Sequence, residues 1–404
     1  MKKHLLRDLM YFYTSVFSAG MRNIASQVFF DSHYPEDKET LVALSLFLSS
    51  VATMLGIMAS SRLLRSSGWE TKRNRLLLAA GMTAAVCVSF SSLFIVDTFI
   101  AYTALFCLSS LCLNFLYNVF DVFISGTVPP EEKEKNVTVL LSYQMAGYII
   151  GPLFFSLCSG SVKLSIAIAA GALLLCFFPV SREYVAYTGT DGRRKSSATA
   201  AAKKNSSQMS LGDTDNIAMF YSFMLYCATN ILMPSVAYVM KDYLGVENYA
   251  LRSSLFLAGT VLFSAAVIVL LPARKLWRFR NAAPLAMAAA VLMIIILRSS
   301  NALLLALAAL LSGAGNGIFL SSTRYYVNTA EPSKGLVQRY NRIMTEATLT
   351  GLLFAAILSW ICTRNGISVI PAKLTVIIIL FAGALFFGLL PAAGKRPERP
   401  FRPS

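Results

Sequence analysis

Long apolar runs dominate this sequence and restrict what it can fold into. Each run has about 18 to 25 residues, the length at which an α-helix crosses about 30 Å of hydrocarbon. Hydrophobic residues make up 56% of the chain and charged residues only 14%, well below the roughly 25% charged residues of soluble domains. The sequence therefore predicts an all-α polytopic membrane protein.

Twelve such runs occur, six on each side of a polar stretch. They lie at 9–30, 40–61, 76–96, 98–124, 137–160, 164–180, 217–240, 250–272, 281–298, 301–323, 338–362 and 373–391. The polar stretch, 181–216, is rich in Ser, Gly, Thr, Ala and basic residues, so it is too polar to be buried or to cross a bilayer. We expect a six-helix bundle over 1–180, a cytoplasmic linker over 181–216, and a second six-helix bundle over 217–404 that ends in a short basic cytoplasmic tail.

The two groups of runs match each other in sequence. Ser45–Leu48 matches Ser254–Leu257 at an offset of 209 residues, and Asn114 matches Asn316 at an offset of 202. The twelve helices are therefore predicted to form two six-helix pseudo-repeats. Parallel repeats of this kind place a solute site near the middle of the membrane, where the two halves meet.

Lys and Arg residues are distributed unevenly between the two sides of the predicted membrane. If the N-terminus is cytoplasmic, most of the 36 Lys and Arg residues fall on the cytoplasmic side, as membrane insertion requires. The basic residues of the opposite side are Lys38, Lys163, Lys241, Arg252, Arg298, Arg364 and Lys373. We expect a multi-pass protein of the inner cell membrane with both termini in the cytoplasm. The net charge of +16 then reflects these loops and does not indicate nucleic-acid binding.

Two local motifs resemble those of a known superfamily. The fifth run contains Gly147-Tyr148-Ile149-Ile150-Gly151-Pro152, which resembles the GxxxGP core of the antiporter motif in drug exporters of the major facilitator superfamily. The segment 335–342, at the entry of the eleventh run, is similar to a loop in bacterial drug and siderophore exporters of that superfamily. The span count, the central linker and the repeat agree with this resemblance over essentially the whole chain.

Several polar side chains lie inside the predicted spans, where an ionised group costs at least about 2.5 kcal/mol at the helix centre. The candidate substrate-binding residues are Arg22 in span 1, Asn114 and Asn118 in span 4, Asn230 in span 7 and Asn316 in span 10. In the superfamily these four spans line the central cavity, so the resemblance places the five residues around one site. The alternative for Arg22 is a structural tie to Asp121 or to a helix carbonyl, and the asparagines could instead join helices by hydrogen bonds.

Two carboxylates are candidates for proton coupling or for a gate. Asp121 lies near the cytoplasmic end of span 4, where loop arginines could pair with it. Glu346 lies about two turns into span 11 and could either carry a proton or pair with Arg342 four residues earlier. Gly313 and Gly317, also four residues apart, match the spacing at which helices pack closely.

The resemblance and these residues together predict a secondary active transporter that works by alternating access. Proton-coupled efflux of a small organic solute is the leading prediction, and the cationic Arg22 favours an anionic, siderophore-like solute. Proton-linked import of a small nutrient is the alternative. An enzyme within the membrane would need a nucleophile or metal-binding motif, and neither GxSxG nor HExxH occurs. We expect a monomer in the lipid bilayer, with protons and a small molecule as partners and no cofactor or metal.

Overall fold

A computed structural model describes residues 24, 26–65, 96–127, 145–153, 214–271, 279–329 and 336–389, and this part of the chain is helical without β-strands. The helices are α1 (Ser26–His33), α2 (Lys38–Arg65), α3 (Phe99–Thr127), α4 (Thr214–Leu232), α5 (Tyr249–Leu270), α6 (Ala282–Leu297), α7 (Ala302–Thr329), α8 (Leu336–Arg364) and α9 (Val369–Leu389). Residues 145–153 are also helical. We call α1–α3 and 145–153 the N-terminal helices, and residues 214–389 the C-terminal helices.

Six helices in the described part of the chain are long and apolar enough to cross a membrane. They are Lys38–Arg62, Asp215–Tyr243, Tyr249–Leu270, Ala302–Thr323, Arg339–Arg364 and Val369–Leu389, and two shorter apolar helices span Phe99–Phe115 and Ala282–Leu297. These eight correspond to the predicted runs 2, 4 and 7 to 12, so the prediction of a multi-pass membrane protein is confirmed. Most of runs 1, 3 and 5, all of run 6, the linker up to residue 213 and the tail after residue 389 lie outside the described residues.

Helices α2 and α3 pack side by side and run in the same direction. Ser45 Oγ lies 2.6 Å from Thr103 Oγ1, and farther along both helices a Cβ at Gly56 would lie 2.3 Å from the carbonyl oxygen of Leu111. Small residues allow this close approach of two backbones inside a membrane. The parallel direction agrees with the prediction that these helices are the second and fourth spans.

Helices α5 and α7 form a corresponding parallel pair among the C-terminal helices. A Cβ at Gly313 would lie 2.4 Å from the carbonyl oxygen of Thr260, and a Cβ at Gly317 would lie 2.7 Å from that of Ser264. The packing role predicted for these two glycines is therefore confirmed. The second pair repeats the direction of the first, as expected for the eighth and tenth spans.

A proline interrupts the helix that continues from α4. Met233–Ser235 form a 3-10 turn that contains Pro234, Val236–Tyr238 form one α-helical turn, and Val239–Tyr243 form a π-helix. Proline has no backbone N–H and clashes with the carbonyl four residues earlier, so it opens a helix in which it lies. We call residues 233–243 the helix break.

The N-terminal and C-terminal helices are in direct contact. Helix α2 packs against α8, and one hydrophobic cluster includes buried side chains from both groups, such as Phe30, Tyr102, Tyr238 and Phe381. Helix α1, the first turns of α2, α5 and α9, and the helix break meet at one end of the bundle. We call this the Glu39 end, and its polar contacts form the candidate site.

Candidate functional site

A buried ion pair joins the two groups of helices at the Glu39 end. Lys373 Nζ on α9 donates hydrogen bonds to Glu39 Oε2 on α2 at 2.6 Å and to Ser235 Oγ at 2.7 Å. Ser235 Oγ in turn donates to the same Glu39 oxygen at 3.0 Å. The side chains of Lys373 and Glu39 are only 2% and 9% exposed. We call these three residues the buried cluster.

The charges of the buried cluster depend on each other because both are withdrawn from water. Removing one partner of a buried ion pair costs about 3–5 kcal/mol, since the remaining charge is left without compensation. Glu39 belongs to the N-terminal helices and Lys373 to the C-terminal helices, 334 residues apart in the chain. The pair therefore exists only while the two groups of helices are in contact at this end.

A second layer of charges surrounds the buried cluster and also crosses between the two groups. Asp31 accepts hydrogen bonds from Lys38 at 2.9 Å, from Tyr249 at 2.9 Å and from Lys241. Lys38 also pairs with Asp242, with 2.7 Å between Nζ and Oδ2. We call these five residues the rim cluster. The Lys241 and Asp242 side chains are 41% and 37% exposed, so each contact made by them contributes about 1 kcal/mol or less.

The electrostatic state of Asp31 follows from these contacts. Burial disfavours its charged form, but the hydrogen bonds from Lys241, Lys38 and Tyr249 outweigh burial and hold the pKa of the Asp31 carboxyl below its usual value. Three carboxylates and three ammonium groups belong to the two clusters together. The charges of the two clusters therefore balance each other.

Gln27 of α1 supplies hydrogen bonds that the helix break lacks. Its Nε2 donates to the Met233 carbonyl at 2.9 Å, and its Oε1 accepts from the Ala237 N–H at 2.7 Å. A continuous α-helix would join these two backbone groups to each other. Gln27 has no exposed surface, and its own carbonyl accepts from Tyr238 Oη at 2.9 Å. The N-terminal helices thus hold the helix break open through a side chain inserted into its hydrogen-bond ladder.

The segment resembling the antiporter motif also touches the C-terminal helices. Gly147, Gly151 and Pro152 are buried in the helical stretch 145–153, and the Pro152 carbonyl accepts a hydrogen bond from Ser254 Oγ at 2.8 Å. Ser254 lies in the first turns of α5. The motif therefore lies at the contact between the two groups of helices, and its role in transport direction stays a prediction.

Three predicted binding residues have described side chains; two bond to a neighbouring helix and one to its own helix. Asn114 Nδ2 donates to Thr53 Oγ1 at 3.1 Å, and Asn316 Nδ2 donates to Ser264 Oγ at 3.4 Å. Asn230 donates to a carbonyl of its own helix at 2.8 Å. Among the described residues, these amides bond to other groups and not to one another. Asn114 and Asn316, matched by the predicted repeat, make equivalent contacts from α3 to α2 and from α7 to α5.

The remaining predicted site residues are placed differently. Glu346 is exposed and accepts a hydrogen bond from Arg342 at 2.7 Å, four residues earlier in α8, which is the pairing that its spacing suggested. Asn118 and Asp121 lie within α3, but the structure describes only their backbone, and Arg22 lies outside the described residues. The binding and coupling roles of these residues stay predictions.

Sequence reasoning missed Glu39, Lys373 and Gln27. It counted Lys373 as a loop residue on the outer side, whereas the structure buries it one turn into α9. It treated Asp121 and Glu346 as the acidic residues inside spans, because Glu39 lies just before the second apolar run. The available signal was weak: opposite charges at the starts of two apolar runs, and Pro234 inside a third.

Comparison of the sequence with protein-family models and with curated protein sequences gives no match. Solved structures do match. The crystal structure of an autoinhibited POT family peptide transporter has a TM-score of 0.69 and 13% identity, covering 100% of this chain and 99% of that chain. The nucleoside transporter NupG has a TM-score of 0.65 and 12% identity, covering 96% and 98%. An inward-facing, occupied bacterial homologue of the human lysosomal transporter Spinster has a TM-score of 0.62 and 13% identity, covering 97% and 95%. Along almost its whole length, the chain therefore has the fold of these membrane transporters.

Proposed function

We propose that this protein is a secondary active transporter that moves a small organic solute by alternating access. The observation that carries the proposal is the pair of polar clusters joining the N-terminal helices to the C-terminal helices at the Glu39 end. Such contacts are able to separate and re-form as two halves rock, while the packing within each half stays intact. The likeness in fold to peptide and nucleoside transporters supports the same function. The similar structures described above are named as transporters and not as enzymes.

The proposal includes two six-helix bundles of the major facilitator type, over 1–180 and 217–404. The parallel pairs α2/α3 and α5/α7, with their equivalent asparagine contacts, support the repeat. We further propose that both termini and the linker 181–216 lie in the cytoplasm, so that the Glu39 end faces outward and is closed to the outside in this structure. Topology reporters fused after Asp37, Arg194 and Pro397 should then report outside, inside and inside. An outside signal at Arg194 contradicts this orientation.

The solute is proposed to be polar and anionic, with Arg22 as its partner. A guanidinium stays charged at any relevant pH, and a carboxylate is its best bidentate partner. The peptide and nucleoside named for two of the similar structures are polar molecules, which agrees with a polar cavity. Efflux of a siderophore-like carboxylate in exchange for protons remains the leading form of the proposal, on the resemblance of the segment Gly147–Pro152 to the antiporter motif. Proton-linked import is the alternative.

The test is counterflow in proteoliposomes that contain the purified protein. Labelled citrate-based siderophore, a dipeptide and uridine serve as the three solutes, and a pH gradient of either sign reports the direction. We expect exchange of the anionic siderophore, its near loss in Arg22→Ala, and weaker apparent affinity in Arg22→Lys.

A reversible cross-link separates transport from leak. In a variant without the seven native cysteines, Lys38→Cys and Asp242→Cys introduce two thiols into the rim cluster. A short bifunctional thiol-reactive reagent then joins these two cysteines through a reducible cross-link. The cross-link should stop exchange, and a reducing agent should restore it. Exchange that continues with the Glu39 end cross-linked contradicts alternating access through this end.

A further inference from the structure

The two clusters of the Glu39 end differ in what happens to each charge when the halves separate. Asp31 is paired with Lys38, which also belongs to the N-terminal helices, so Asp31 keeps a cation when the end opens. Lys241 and Asp242 are already partly exposed and would be hydrated. Every charge of the rim cluster therefore keeps a partner or gains water.

Glu39 differs because none of its described hydrogen-bond partners moves with it. Its described hydrogen-bond partners are Lys373 Nζ at 2.6 Å and Ser235 Oγ at 3.0 Å, and both belong to the C-terminal helices. When those helices move away, the Glu39 carboxylate loses its cation and its hydroxyl donor together. Because Lys373 and Ser235 favour the charged form of Glu39 only while the end is closed, a proton on Glu39 favours the open end over the closed one.

We propose that Glu39 is the site at which the coupling proton binds, an inference that rests on the proposed transport function. In the state with the Glu39 end open, hydronium from the outer solution donates a proton to a Glu39 oxygen, and Lys373 stays protonated and is hydrated. When the end closes, the Glu39 O–H bond breaks, the proton passes to water on the other side, and the carboxylate pairs with Lys373 again. One proton then crosses the membrane in each cycle.

The surroundings of Glu39 are consistent with a single exchangeable proton. In the described part of the chain, Cys362 on α8 and Tyr238 in the helix break also interact electrostatically with Glu39. Both are neutral near physiological pH, since thiols and phenols titrate at about 8.5 and about 10 in their ordinary states. Lys373 is therefore the charged group facing Glu39, and Lys38 and Asp31 pair with each other beside it.

The test measures the opening of the Glu39 end directly and needs no solute. In the cysteine-free variant, spin labels are attached at Glu36→Cys and Ser368→Cys, two exposed positions on opposite groups of helices. Double electron–electron resonance then measures the distance between the two labels across this end. For the parent, we expect the long-distance population to grow as the pH falls from about 8 to about 4, a range that reaches the ordinary value of about 4.3 for a hydrated glutamate.

Three variants identify Glu39 as the group responsible. Glu39→Gln should raise the long-distance population at least about tenfold at high pH, because Lys373 is left unpaired, and should remove the pH response. Glu39→Gln with Lys373→Met should restore the short distance and stay insensitive to pH. Glu247→Gln, which changes an exposed carboxylate at the same end, should respond as the parent does. A parental pH response in Glu39→Gln, or its loss in Glu346→Gln instead, overturns the proposal.

A second variant covers the case in which Glu39→Gln does not fold. Lys373→Met leaves the Glu39 carboxylate buried without its cation in the closed end, so the pH response should reverse, with the long-distance population growing as the pH rises. A pH response that keeps the parental direction overturns the assignment. Transport assays in proteoliposomes separate this proposal from the transport proposal. Uphill solute flux driven by a pH gradient in Glu39→Gln contradicts the proton site alone. A pH response of the distance without exchange of any solute contradicts the transport function alone.

Discussion

Replacing Gln27 by Leu tests whether the inserted amide keeps the Glu39 end closed. Leu has a similar size but no polar atoms, so the change deletes the bonds to the Met233 carbonyl and the Ala237 N–H, at 2.9 Å and 2.7 Å. Each buried group left without a partner costs about 1–3 kcal/mol. The two groups can recover part of this cost by bonding to each other across one helical turn. The closed state should therefore lose about 2–4 kcal/mol, a shift of about 30- to 700-fold towards the open state.

The distance between spin labels at Glu36→Cys and Ser368→Cys provides the measurement. Gln27→Leu should increase the long-distance population at neutral pH. The matched control is Ser45→Ala, which removes a buried hydrogen bond to Thr103 at 2.6 Å within the N-terminal helices. The control should lower thermal stability without changing the distance. If Gln27→Leu also leaves the distance unchanged, the inserted amide does not couple the helix break to closure.

Two further predictions concern Asp31 and a close helix contact. Because contacts in the closed state lower the pKa of Asp31, its contribution to closure is complete above the ordinary aspartate value of about 3.9 and is lost as the pH falls through the lowered value. In the Glu39→Gln/Lys373→Met background, Asp31→Asn should therefore increase the open population equally at about pH 7 and about pH 5. An effect of Asp31→Asn that differs between the two pH values contradicts the lowered pKa of Asp31. Gly351→Ala places a Cβ 2.7 Å from the Cys227 carbonyl oxygen and should lower the unfolding free energy by about 1–3 kcal/mol. Gly383→Ala, whose Cβ would meet only Met224 Sδ at 4.0 Å, should change thermal unfolding little, and equal melting of the two variants would contradict the packing.

The sequence alone predicted the helices well where the structure describes them. Helices α5, α7, α8 and α9 coincide over most of their length with apolar runs identified by length, because about 20 apolar residues in a helix match the thickness of the hydrocarbon. The same reasoning identified Gly313 and Gly317 as a packing surface and gave pairing with Arg342 as one of two alternatives for Glu346. These properties depend on residues close together in the chain, whose relative positions on a helix follow from its 3.6-residue period.

The burial of Glu39, Lys373 and Gln27 was decided only by the tertiary structure. Each lies at or near the end of a predicted span, where a charged or amide side chain is ordinarily hydrated and needs no partner. Their partners lie 334 residues away for the ion pair and 206 to 211 residues away for Gln27, and no local pattern encodes which span ends meet. Whether a segment enters the membrane depends on the total hydrophobicity of its consecutive residues, which can be read from the sequence. The energy of a buried charge depends on the atom facing it, and that atom is set by how the two groups of helices dock.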